Sequence, residues 1–356
     1  MNLLRVILYA VGLFLNGLTA IALLLASMAC IVPPDKFILP ALMALGFEWL
    51  VMANLVCVLM WLPSRRKSFS VISLIVLLCS LPSIDKTMSI CGKPEKRSSC
   101  RQLTVMSYNT YALDESKKAK DNRVLQYIKE CDCDIVCLQE LRTDKKGRLI
   151  TLQEVKDYLS YPYSYIDFKT YEGRLQFGIA VFSKYPLINK QTLRYESASN
   201  ISDRCDVVVG GDTIRLLNNH LQSYSLTKDD MHWDASGERL RESTDKVGKK
   251  VRKAYRYRPA QAAVLAQEVS ASPYPVLVCG DFNDVPASYV YNKVSAQLVD
   301  AFLENTSWQS GHTYAHHGIG VRIDYILHSP TLRATSFRIG EVDYSDHFPI
   351  FAQISW

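Results

Sequence analysis

From Val6 to Val32 the chain carries no charged residue, and from Phe37 to Leu62 it carries only Glu48. Each run is long enough to cross a hydrocarbon layer of about 30 Å as a helix rising about 1.5 Å per residue. A third apolar run, Phe69 to Ile84, covers only about 24 Å by the same rise and must thin the bilayer or borrow its flanks. The expectation is an anchor of three transmembrane helices over residues 1–84, a linker over 85–101 and a soluble domain over 102–356. A signal peptide is the competing reading of the first run, and Ala26-Ser27-Met28-Ala29-Cys30 resembles a lipoprotein cleavage site. Against cleavage, the apolar core is far longer than usual and a second run follows at once.

Basic residues orient the anchor. Arg5 precedes the first run and Arg65, Arg66 and Lys67 separate the second from the third, whereas the loop Pro33 to Lys36 balances one Lys against Asp35. The positive-inside rule then puts the N-terminus and the second loop in the cytoplasm, which makes the chain an integral membrane protein with an extracytoplasmic soluble domain. Failure of the short third run to cross would reverse the domain's side. Glu48 falls mid-span with no Lys or Arg in the runs to pair with it, so it is either functional or protonated and hydrogen bonded. In the linker, Cys91 and Cys100 either pair or stay free.

The net charge of +6 is modest for 356 residues and does not by itself point to nucleic acid. The ten cysteines follow no repeating frame, which excludes a small disulfide scaffold. Beyond residue 102, short β-type runs at Thr104–Tyr108, Asp134–Leu138, Phe177–Ser183, Thr213–Asn218, Val276–Cys279, Ile323–His328 and Phe348–Ile354 alternate with helical patterns at Asn122–Cys131 and Ala260–Ser270, the latter opened by Pro259. That alternation indicates an α/β domain.

Polar residues follow directly after several of these strands. Val276-Leu277-Val278-Cys279-Gly280-Asp281-Phe282-Asn283 is an apolar strand stopped by a glycine, and it delivers a carboxylate and a carboxamide two residues apart. Such a carboxylate can take a proton from water, although an Asx turn closing a strand has the same sequence. Asp134 to Leu138 ends in Gln139-Glu140, an oxygen ligand suited to a hard cation or simply a surface acid. Cys131, Cys133 and Cys137 suggest zinc only superficially; no nearby pair completes four ligands, and core packing is the preferred reading. Asn218-Asn219-His220-Leu221-Gln222 and Ser345-Asp346-His347 place imidazoles after strands, and Arg322-Ile323-Asp324-Tyr325 supplies a carboxylate to orient one of them.

Taken in order, Tyr108-Asn109, Gln139-Glu140, His220-Leu221-Gln222, Gly280-Asp281-Phe282-Asn283, Arg322-Ile323-Asp324-Tyr325 and Ser345-Asp346-His347 resemble the endonuclease/exonuclease/phosphatase superfamily over essentially the whole domain from 102 to 356. The resemblance implies a four-layer α/β/β/α sandwich of two mixed sheets with the site at one end between them. It implies Mg²⁺, with Mn²⁺ as a substitute, held principally by Glu140 with Asn109 and Asp346 close by. It makes Asp281 the residue that activates water, Asn283 the one that places water and phosphate, and Asp324 the holder of His347, whose imidazole meets the phosphate. His220 resembles the second histidine of the DNase-I-like and sphingomyelinase-like branches, a candidate general acid. Where the abasic-site-nuclease branch commonly has a further acid, this chain has Tyr111, which puts a second metal in doubt.

The substrate is a phosphoester, either nucleic acid or a lipid headgroup, met beside the lipid bilayer. Between Gln222 and Pro259, Lys246, Lys249, Lys250, Arg252, Lys253, Arg256 and Arg258 run without an intervening acid, with Tyr255 and Tyr257 interleaved. That stretch suits nucleic-acid phosphates or anionic lipids, and equally a solvated helix face balanced by the acids before it. Nuclease, lipid-phosphate hydrolase and non-enzymatic membrane module all remain open; the last predicts a degraded site, whereas the motifs here are intact.

Overall fold

The computed structural model describes residues 3–356 except 65, 90–100, 116–117, 196, 198–199, 227–229, 231–237, 308, 310 and 317–318, so Cys91 and Cys100 lie outside the described residues. Five helices come first: α1 (Leu3–Met28), α2 (Leu39–Ala44), α3 (Phe47–Trp61), α4 (Ser70–Cys79) and α5 (Leu81–Met88). The expectation of three straight transmembrane helices is corrected here. Among the described residues one helix, α1, is long and apolar enough to cross a membrane. The second run is broken at Gly46 into α2 and the 15-residue α3, whose length of about 22 Å falls short of a bilayer core. The third bends by 63° between α4 and α5. Pro82, in the first turn of α5, cannot extend α4, because its nitrogen has no hydrogen to donate and its ring clashes with the preceding turn. Residues 85–88, expected in a linker, complete α5.

The bundle's ends are distinct. Tyr9 stacks on Trp61 with centroids 6.0 Å apart and Arg66 lies over Tyr9, whereas Ser27 donates to Ser80 at 2.8 Å at the other end. Thus α1, α3 and α4 run in alternating directions, and α1 ends beside the sandwich. Inside, Asn16 Nδ2 donates to the Phe69 carbonyl and Asn54 Nδ2 to that of Thr19, at 2.9 and 3.0 Å.

The remainder contains β1 (Gln102–Asn109), α6 (Arg123–Cys131), β2 (Ile135–Asp144), α7 (Leu152–Leu159), β3 (Tyr163–Glu172), β4 (Leu175–Ser183), β5 (Leu187–Arg194), β6 (Ile201–Val209), β7 (Asp212–His220), α8 (Glu238–Ser270), β8 (Val276–Asp281), α9 (Tyr289–Ser295), β9 (Val299–Asp300), α10 (Ala301–Asn305), β10 (Tyr314–His316), β11 (Ile319–Val321), β12 (Asp324–His328), β13 (Arg333–Ile339) and β14 (Ile350–Ser355). One six-stranded sheet runs β13-β14-β1-β2-β4-β3 and the other β5-β6-β7-β8-β12-β9. Both are mixed, with β1/β2 and β7/β8 parallel. Val105, Cys137, Cys205, Leu216, Leu277 and Ile326 pack between the sheets. The outer face of the first sheet buries Val124 and Ile128 of α6 and Val155 of α7, and that of the second buries Leu265 of α8 and Val290 of α9. These are the four layers of an α/β/β/α sandwich. Pro259 does not start a helix as the sequence predicts; it lies inside the 33-residue α8.

The two regions share a buried seam. Ala26, Ala29, Phe47, Val51 and Ile84 pack with Val285, Ala287 and Ile323 of the sandwich. Arg322, 1% exposed in its side chain, pairs with Asp300 at 2.7 Å and donates to the Lys86 carbonyl at 2.5 Å, tying the end of α5 to the sheet.

Candidate active site

Register alone gathers three of the eight predicted residues. His220 at the end of β7 is the partner of Asp281 at the end of β8, and Asp281 is the partner of Asp324 at the start of β12. Three of the predicted side chains therefore stand side by side at spacings of about 4.8 Å. Gly280 makes the approach possible: at φ +130° a Cβ there would lie 2.1 Å from the Asn219 carbonyl oxygen. Asn283 follows at φ +54°, a left-handed conformation that Asn tolerates.

Asp281 is the hub. It is 1% exposed and accepts hydrogen bonds from Asn109 Nδ2 at 3.0 Å, from Asn283 Nδ2 at 3.0 Å and from the Asn283 backbone at 2.7 Å. His220 Nε2 and His347 Nε2 lie 3.9 and 3.8 Å from its Oδ2. Burial pushes this carboxyl up to about 7, with the Asp324 charge adding to the rise and His347 opposing it. His347 Nδ1 meets Asp324 Oδ2 at 2.9 Å. Burial disfavours the imidazolium, but the flanking Asp324 and Asp281 carboxylates outweigh it and lift His347 to about 10. His220 is lowered, chiefly by burial, against the raising influence of Glu140.

Glu140 interrupts the pairing of β2 with β4, where the register shifts between Leu138 and Leu141, and it takes φ +52°. The bulge turns its carboxylate out of the strand into the cavity. Below it, buried Gln139 donates to Asn218 Oδ1 at 2.8 Å and locks the two sheets together. Glu140 Oε1 lies 3.4 Å from His220 Nε2. Asp346, half-buried, is raised by burial and by the charge of Glu140, with His347 acting against both. These two acids share a cavity of about 530 Å³ with His220, Asn283 and His347. The closest cluster of potential ligands among the described residues is a different one, Asp281, Asp324 and His347, whose ligating atoms lie within 4.8 Å of one another. Its Asp324 and His347 are already engaged with each other, so the arrangement orients an imidazole, whereas Glu140 and Asp346 are two oxygen donors whose mutual repulsion a hard cation would relieve.

The predicted residues thus converge from both sheets on one end of the sandwich. Sequence reasoning missed Thr313, whose Oγ1 accepts the backbone N–H groups of Ile323 and Asp324 at 3.0 Å each, and Tyr314, whose ring lies edge-on to His347 at 4.9 Å. Neither belongs to a periodic run. It also missed Arg258, fully buried at 3.3 Å from Asp284 and 2.6 Å from the Gln222 carbonyl. Nothing in its basic stretch separates it from neighbours that are exposed. Tyr111, in place of an acid, is 58% exposed at the cavity rim.

A model of a domain of unknown function matches residues 5–87. The CCR4-Not complex 3'-5'-exoribonuclease subunit Ccr4 of Schizosaccharomyces pombe is 26% identical over 312 residues, covering 74% of this chain and 45% of that protein, so the chain spans under half of that relative. Among solved structures, D. rerio TDP2 complexed with single strand DNA product is 17% identical with a TM-score of 0.52, covering 72% of this chain and 99% of that one. The human Nocturnin catalytic domain with bound sulfate anion is 20% identical with a TM-score of 0.51, covering 72% and 96%. At such identities these likenesses speak to the fold. The family model described as Endonuclease/Exonuclease/phosphatase family matches residues 106–347, well over half of the chain and every residue of the site, and the chain therefore belongs to that family of phosphoester hydrolases.

Proposed function

We propose that the chain is a divalent-metal-dependent phosphoester hydrolase held at a membrane by its N-terminal helices, with the sandwich on the extracytoplasmic side. The convergence of two carboxamides and two imidazoles, from β1, β7 and the loops after β8 and before β14, on the buried carboxylate of Asp281 carries the catalytic reading. Glu140 and Asp346, with Asn109 beside them, would hold Mg²⁺ or Mn²⁺, which when bound neutralises charge on the phosphoryl oxygens.

The residues themselves divide the remaining work. Asp281, poised near neutrality, takes a proton from the attacking water, and Asn283 orients that water and a phosphoryl oxygen. His347, fixed through Nδ1 by Asp324, presents a protonated Nε2 to the phosphoryl group. His220 Nε2 has no hydrogen-bond partner among the described residues and is the donor nearest at hand for the leaving oxygen. Water oxygen bonds to phosphorus, the ester P–O bond breaks, and the departing oxygen gains a proton.

Membrane attachment is supported by the distribution of exposed apolar side chains. Leu8, Phe14, Leu59, Ile75 and many like them are exposed before residue 82, whereas beyond it the large exposed apolar side chains among the described residues are Tyr111, Tyr163, Ile188, Val264 and Tyr274. The alternating helices also put Arg5, Arg66 and Lys67 at the end of the bundle remote from the sandwich, as the positive-inside rule requires of an extracytoplasmic domain. Hydrolysis of bis-p-nitrophenyl phosphate and p-nitrophenyl phosphate by the full chain should vanish with EDTA and return with Mg²⁺. Protease should reach the sandwich from outside sealed cells; activity that survives exhaustive chelation would defeat the metal, and cytoplasmic protection would defeat the topology.

A further inference from the structure

The catalytic cavity and the helical bundle share a wall. Leu45, in the turn between α2 and α3, lines the 530 Å³ cavity together with Val285, Val321 and Ile323. Leu45, Val285 and Val321 also line an adjoining gap of about 30 Å³ that Glu48 and Trp49 close on the bundle side. Trp49 is 77% exposed in the first turn of α3, beside the exposed apolar faces of α1 and α3. A tryptophan there belongs at the boundary between acyl chains and headgroups, so the cavity opens at headgroup level. The bundle is fixed in that position by Arg322 on the Lys86 carbonyl and by Tyr255 Oη, which donates to the Ala41 carbonyl at 3.2 Å.

Charge points the same way. Among the described residues no Lys or Arg lines the cavity, and the described basic side chains of α8 stay outside it. A polyanion needs cations along its track for the phosphates on either side of the reacting one. A lipid needs one polar floor and one apolar exit. We infer that the substrate is a phosphoester carried on a lipid, whose phosphate rests among Glu140, Asn283, Asp346 and His347 and whose hydrocarbon leaves past Leu45 and Val321 along the bundle. This rests on the hydrolase reading above and narrows it. Water adds to phosphorus, the P–O ester bond breaks, and the products are an alcohol and a phosphate that together hold the atoms of lipid and water.

The test uses the full chain in mixed micelles with phosphatidylglycerol and phosphatidic acid, each with dihexanoyl and dioleoyl chains. Bis-p-nitrophenyl phosphate, p-nitrophenyl phosphate and single-stranded DNA serve as soluble comparators. The long-chain lipid should exceed its short-chain counterpart in kcat/KM by about tenfold or more, since each buried methylene contributes about fourfold. Leu45→Asp and Val321→Asp should each lower that long-to-short ratio about tenfold. A ratio near one in the unaltered chain, or faster cleavage of DNA than of the long-chain lipids, would overturn the inference while soluble-ester hydrolysis kept the hydrolase reading standing. No turnover of any substrate would remove both.

Discussion

In α1 the large side chains of Leu8, Phe14 and Ile21 are exposed and Asn16, Ala20 and Ala26 are buried, whereas in β8 Val276, Leu277, Val278 and Cys279 are all buried and the polar Asp281 comes last. The bundle turns Asn16, Asn54 and Ser73 inward, where they donate to carbonyl or carboxamide oxygens; the sandwich packs its apolar groups between and behind its sheets and brings the predicted site residues to one end. The first arrangement suits an apolar surrounding and the second suits water. The proposed chemistry lies where the two meet, at strand ends beside buried acids and an apolar wall.

The largest expected effect lies wholly within the sandwich. Asp281→Asn keeps the shape of the hub and removes its charge, and kcat/KM should fall by about 10³ or more, some 4 kcal/mol of barrier. The thermal midpoint should hold or rise, because burial already penalises this carboxylate. Near-normal hydrolysis by the variant would detach the site from the chemistry assigned to it.

Next comes the seam. Arg322→Ala leaves Asp300 buried without its cation and frees the Lys86 carbonyl, a loss of about 3–5 kcal/mol for breaking a buried pair. Denaturant unfolding should report that loss together with faster proteolysis after α5. Should the variant unfold like the parent, bundle and sandwich are less firmly joined than their geometry indicates, and the shared wall loses its meaning.

How much of this could be read beforehand follows the same division. The central strands β1, β7 and β8 were legible because they are largely buried and end in polar residues, whereas β2, expected to stop at Leu138, runs on to Asp144 past the bulge at Glu140, a break in pairing that looks like a strand end in the sequence. The edge strand β5, with Lys190 and Gln191 exposed mid-strand, carries no such run and escaped notice. The site order was legible in the motifs, but Thr313 and Tyr314 sit in a stretch without periodicity. In the bundle, composition located the apolar runs and hid their breaks, since a run interrupted at Gly46 or Pro82 reads the same bent or straight. Arg258 was hidden for the opposite reason: surrounding charge made a buried cation look like a solvated one.

A pH-dependent effect sets one buried acid of the sandwich apart from those of the proposed site. Asp203 on β6 is buried, and burial, with the Asp167 charge adding to the rise and the Thr192 hydroxyl opposing it, lifts it to about 8. In the unfolded chain the same group titrates near 4. Between those values the folded state holds a proton that the unfolded state has released, so stability falls as pH rises from about 4 to about 8 and this contribution is flat above. Asp203→Asn should remove that slope, giving a variant progressively more stable than the parent up to pH 8. Parallel stability curves for the two proteins across that window would show that the carboxyl is not held protonated.

The smallest effect belongs to the residue that looked most expensive in the sequence. Glu48 was expected mid-span without a cation; instead it stands in the first turn of α3, where His312 of the sandwich meets it at 3.3 Å. Both side chains keep a third or so of their exposure, 30% for Glu48 and 39% for His312, so water screens the pair and competes for it. Exposed pairs of this kind contribute about 0–1 kcal/mol. Glu48→Gln should therefore shift the unfolding free energy by less than about 1 kcal/mol, with the hydrolysis of p-nitrophenyl phosphate essentially unaltered. A loss of several kcal/mol would mean that Glu48 is far more deeply desolvated than its place at the seam implies, and would count against the proposed position of the cavity mouth at headgroup level.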